Sequence, residues 1–159
     1  MSIQEQLAKQ IRDMHSGPNM TGVNLTDALE GVTWQMANQK VGELNTIGVL
    51  VFHINYYIHG VIPVFGGGTL DIHDKYSYDA PEITSEADWN RRLDQFWADG
   101  EKLAAHVEQL PDEKLFAPFV KEKYGNYFKN IMGIVEHTHY HLGQIVIIKK
   151  QIRTATSNP

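Results

Sequence analysis

The sequence predicts an all-α fold, a four-helix bundle with one long crossover between its second and third helices. Three observations predict it. Four stretches repeat apolar residues every three or four positions, and none alternates apolar and polar residues as a half-buried strand does. One connection, of about twenty residues rich in glycine, proline and acidic side chains, is far longer than a simple helical hairpin needs. The 159 residues, 42% of them hydrophobic, suffice for one domain with its own core. That domain is assigned to residues 1–153, with 154–159 as a frayed tail.

Ile3, Leu7, Ile11 and Met14 give the first helix its apolar stripe, and the "SGP" from Ser16 to Pro18 stops it. Short helical turns are expected after Thr26 and Thr33, each able to cap the residues behind it. Asn45 or Thr46 caps the second long helix, whose stripe is Ile47, Leu50, Ile54, Tyr57 and Val61, with Pro63 just beyond its end. The crossover "PVFGGGTLDIHDKYSYDAPEIT" keeps no period. Ser85-x-x-Asp88 resembles a capping box and opens the third helix, where Trp89, Leu93, Phe96, Gly100, Leu103, Val107 and Leu110 repeat at four and three until Pro111. Asn126 caps the fourth helix, which runs to about Arg153, with Lys149, Lys150 and Arg153 suited to its C-terminal dipole.

Composition excludes several classes of function. The formal net charge is −5 and the basic residues are scattered, so no stripe exists to neutralise nucleic-acid phosphates. Without cysteine there are no disulfides, thiolate-ligated zinc or cysteine nucleophile, and thiol chemistry requires a thiol from outside. The N-terminal "MSIQEQLAKQIRD" lacks the basic and apolar regions of a signal peptide. No apolar run is expected to reach the roughly 18 residues of a membrane span. A cytoplasmic protein with neither membrane nor nucleic-acid partners is the expectation.

Eight histidines are the compositional bias that bears on chemistry. On the fourth helix Ile134, His137, His141, Ile145 and Ile148 share one face, so two imidazoles point inward. His139, about 200° from each at 100° per residue, faces away. An i, i+4 histidine pair can bind one metal ion, although the spacing alone equally describes hydrogen-bonded core histidines. His53 shifts the balance, because it interrupts the apolar stripe of a different long helix. Three buried imidazoles without partners would be costly, and one shared metal would satisfy all three while leaving coordination positions open.

Competing motifs fail on their letters. A zinc-protease HExxH needs glutamate where Thr138 stands. Glu136-x-x-His139 matches half of a di-iron motif that has no second copy. Gly66 to Thr69, "GGGT", lacks the Lys-Ser/Thr ending of a phosphate loop and reads as a hinge. His15, His59, His73 and His106 default to surface or supporting roles, His59 and His73 lying beside or within the long connection. Tyr56, Tyr57, Trp89, Phe96 and Trp97 read as packing residues. Tyr140 is open between a donor to the site and an interface residue.

"LNTIGVLVFHINYY" followed by "GIVEHTHYHLGQI" resembles the DinB/YfiT-like superfamily, with its histidine on helix two and H-x-x-x-H pair followed by "GQ" on helix four. The resemblance spans nearly the whole chain. It implies an up-down-down-up bundle, a divalent metal such as zinc or nickel on His53, His137 and His141, and a homodimer, with no DNA binding. Its characterised members include thiol S-transferases, which implies a low-molecular-weight thiol cosubstrate and a small electrophile; a metal lowers a thiol's pKa and presents the reactive thiolate. Other members are called metal-dependent hydrolases, in which water takes the thiol's place. A non-catalytic bundle braced by its metal, serving interaction or dimerisation, is the third reading. The crossover loop is the candidate substrate lid, and no general base is identifiable.

Overall fold

In the computed structural model, which describes residues 1–157, seven α-helices carry the chain and, among the described residues, no strand forms. Each long helix begins where a side chain can take up an orphan backbone N–H. Ser2 and Glu5 close a capping box on α1, Ile3–His15. Thr46 accepts from the Val49 N–H to start α4, Ile47–Phe65. Ser85 accepts from Asp88 to start α5, Glu86–Glu108, and Asn126 accepts from Lys129 at the head of α7, Tyr127–Ser157. The Asp88 carboxylate reaches back to Thr84 and to the Ser85 hydroxyl, not to the Ser85 N–H, so the expected capping box is displaced by one residue. Between these lie α2 (Leu25–Leu29), α3 (Trp34–Asn38) and α6 (Asp112–Leu115). Asn24 caps α2, while Thr26 sits inside it and donates to the His15 carbonyl; Thr33 caps α3 as expected.

The four long helices pack in a ring of pairs: α1 on α5, α5 on α4, α4 on α7 and α7 on α1. Their facing stripes form one apolar core, with Ile11, Met14, Leu50, Ile54, Trp89, Phe96, Leu103, Ile131 and Ile145 buried within it. One stripe assignment shifts by a residue and one residue joins the stripe. Ile3 is exposed and Gln4 is buried in its place, donating from Nε2 to Asp112. His15, four residues after Ile11, is also on the stripe and is buried rather than superficial.

Two boundaries and one expectation about composition differ from the sequence reading. Pro63 lies inside α4, because a ring in the last turn forfeits only one N–H while the Gly66 N–H still reaches the Ile62 and Pro63 carbonyls. Helix α7 runs to Ser157, so residues 154–157 of the expected frayed tail are helical; residues 158 and 159 lie outside the described residues. Finally, α4 is long and apolar enough to cross a membrane by length and composition, contrary to the expectation that no segment is. Its placement explains the composition: α4 is packed on α5, α7 and α3, with ten of its residues buried. A helix enclosed on several sides is apolar nearly all round.

The long connection is built as a strap. Gly67, at φ 85°, turns the chain out of α4 into a conformation that favours glycine. A 3-10 turn at Asp74–Tyr76 then brings residues 73–78 across the middle of α4. Tyr56 donates its hydroxyl to the His73 carbonyl and accepts from the His73 N–H, pinning the strap to the helix at 2.9 and 3.2 Å.

Candidate metal centre

His53 from α4 and His137 and His141 from α7 converge where the two helices pack. The Nε2 atoms of His53 and His137 are 3.0 Å apart, and those of His137 and His141 are 3.1 Å apart. Two of the rings are held from behind. His53 donates from Nδ1 to the Ser77 carbonyl at 3.0 Å, and His141 donates from Nδ1 to the Gln144 side-chain oxygen at 2.6 Å. Spending the single proton of a neutral imidazole on Nδ1 leaves Nε2 as a lone pair.

Two lone pairs therefore face His137 Nε2, which can donate to at most one of them. A shared cation resolves this, since each nitrogen then gives its lone pair to the same centre. Metal–nitrogen bonds of about 2.0–2.1 Å with facial geometry place neighbouring nitrogens roughly 3 Å apart, the separation seen here. Anchoring of the distal nitrogen by a carbonyl oxygen is also how metal-binding histidines are oriented. These three histidines could hold a metal ion.

The electrostatics favour the unprotonated form of His137 and His53. Burial, then the proximity of His141 and His53, pushes the His137 pKa down to about 4. His53 is lowered chiefly by burial, against the raising effect of its bond to Ser77. Neutral imidazoles are the form a metal needs.

Aromatic rings enclose the cluster. Tyr78, from the strap, stacks on His53 with centroids 3.9 Å apart and planes 13° from parallel. Tyr57 presents its edge to both His53 and His137, and its hydroxyl donates to Asp74 at 3.1 Å. Only His137 is appreciably open, and it lies on the wall of a pocket of about 740 Å³. Val61, Leu70, Ile72, Phe119 and Ile134 give that pocket its apolar surface, and Tyr57, Asp74, Lys75 and Lys129 its polar one.

All three histidines expected at the site are thus brought together. His139 is not among them; its Nδ1 bonds the Val135 carbonyl. His59 pairs with Asp99 on the α5 side of α4, His73 meets Asp71, and His15 packs on Phe96 and Trp97, so none of these joins the cluster. Tyr140 is exposed, with its ring edge-on to His141. Sequence reasoning missed three contributors. Ser77 acts through a main-chain carbonyl and has no signal of its own. Tyr78 sits in an unpatterned loop. Gln144 was visible only as a letter of the "GQ" pair, yet its i+3 spacing from His141 could have assigned it the anchoring role. No protein-family model, curated protein or solved structure matches the chain.

Proposed function

We propose that this chain is a DinB/YfiT-like, metal-dependent enzyme that joins a low-molecular-weight thiol to a small electrophile. The observation that carries the reading is the convergence of three imidazole Nε2 atoms, two of them fixed as lone pairs by Nδ1 anchors, beside a pocket large enough for a small substrate. Bonds from Arg92 to Gly48 and from Asn55 to Asp99 advance together along α5 and α4, so these two helices run parallel, which supports the up-down-down-up arrangement that the family resemblance implies. Among the described residues the metal-ligand group contains no fourth histidine, cysteine or carboxylate, which supports an open coordination position rather than a closed structural site.

A divalent zinc or nickel ion on His53, His137 and His141 would supply Lewis acidity, favouring the thiolate form of a bound thiol. The chain's own residues do the rest. Ser77 and Gln144 fix the ligand rings, Tyr57 and Tyr78 shield them from bulk water, and the apolar wall of the pocket orients the electrophile. In the reaction the thiol sulfur forms a bond to the electrophilic carbon as that carbon's leaving group departs with its electron pair. The thiol proton leaves with it, so that RSH and E–X give RS–E and HX.

Metal analysis of protein purified without an affinity tag tests the reading, alongside His53→Ala and His141→Ala. Wild type is expected to retain or take up one zinc or nickel ion per chain, and the variants to lose it. Wild type that takes up neither metal overturns the proposal. With metal bound, bacillithiol, glutathione and coenzyme A are each paired with a generic electrophile; turnover that needs no thiol would assign the nucleophile to water instead.

A further inference from the structure

The pocket beside His137 is lined by more cationic than anionic side chains. The protein carries a formal charge of −5, yet two lysines, Lys75 from the strap and Lys129 from the first turns of α7, line this one pocket. Neither lysine forms an ion pair among the described residues. The Lys75 ammonium rests instead over the Tyr76 ring, 4.5 Å from its centroid. The nearby carboxylate in the lining, Asp74, already accepts the Tyr57 hydroxyl. By formal charge the lining holds two ammonium groups against one carboxylate, a net positive charge, beside an apolar wall and, through His137, one edge of the histidine cluster.

We infer that the ligand of this pocket is an acid: a thiol bearing a carboxylate, its sulfur directed to the histidine cluster and its carboxylate held by Lys75 and Lys129. This inference rests on the thiol reading above and adds the charge of the cosubstrate. A neutral or cationic thiol would forgo the attraction of both ammonium groups. Charge recognition of this kind selects among thiols of equal reactivity.

The test uses the full chain loaded with cobalt(II), whose thiolate charge-transfer absorption reports sulfur at the metal. Wild type is titrated with 3-mercaptopropionate, 2-mercaptoethanol and cysteamine. The acid is expected to bind about fivefold or more tightly than the amine, a preference that added salt weakens. In the Lys75→Glu/Lys129→Glu double variant, at unchanged cobalt content, the preference is expected to vanish or reverse, and Lys75→Gln/Lys129→Gln should abolish it without reversal. Equal affinities in wild type, or a preference that survives in the double variant, overturns the inference. If no thiol perturbs the cobalt spectrum of wild type, the thiol reading itself fails. The charge of the pocket is then read by calorimetry with succinate: no binding to wild type, or equal binding to the double variant, overturns it as well.

Discussion

Gln144 shows how much of a metal site can rest on a residue that touches no metal. Its side-chain oxygen fixes the His141 proton on Nδ1 and so aims the Nε2 lone pair. Replacing it with leucine frees the ring to rotate, and metal affinity should fall about 10–100-fold with the helix intact; competition against a chromogenic chelator measures this, and unchanged affinity would remove Gln144 from the site. His15 is the contrasting case. Its Nδ1 bonds the Ile11 carbonyl, its Nε2 is buried without a partner, and a side chain added at Gly100 would strike the ring. Burial lowers its pKa below the ordinary 6.5, opposed by the Ile11 bond and the Glu101 carboxylate. The unfolded chain therefore takes up this proton first: the native state loses stability as pH falls below about 6.5, by at most about 1.4 kcal/mol per pH unit from this group. Urea unfolding of metal-free protein between pH 7 and 5 should show a shallower decline in His15→Phe than in wild type; parallel declines would refute the assignment.

At the scale of the element, the two ligand helices were legible because periodicity fixes direction. Positions 137 and 141 share the face of Ile134 and Ile145, and position 53 falls among Leu50 and Ile54, so the inward direction of all three rings followed from counting. The same counting extended from Ile11 would have buried His15. What counting could not reach is the strap, where Asp74 and Ser77 are placed by hydrogen bonds to α4 and Tyr78 by its stack on His53, none of which a period encodes. Pro63 misled for a related reason: proline bars a helix interior more firmly than a last turn. Helix α5 is held at its start by Ser85, and Ser85→Ala should cost about 1 kcal/mol, read as a lower midpoint in chemical denaturation. Since the cap lies on a helix that carries no ligand, metal affinity should stay at the wild-type value.

For the whole molecule, a metal at this position ties together two helices that the sequence separates by 84 residues between His53 and His137. A ligand that binds only the folded chain stabilises it by about 2.7 kcal/mol when present at a hundred times its dissociation constant. For a domain of this size that corresponds to a rise in Tm of roughly 5–10 °C. Zinc or nickel should therefore raise the melting temperature, EDTA should reverse the rise, and His141→Ala should melt at one temperature in either condition. A wild-type melt indifferent to metal would argue for an ordinary histidine cluster.

Ser77 holds His53 through its backbone oxygen, an atom that every amino acid possesses. Point substitution at position 77 changes the side chain and leaves that acceptor in the chain. What can remove it is a change in the path of the strap, through insertion or deletion between Gly66 and Ser85. The ligand anchor is in this sense encoded by the length of a loop rather than by a letter, and loop length is the variable by which the centre could be retuned while its three histidines stay the same.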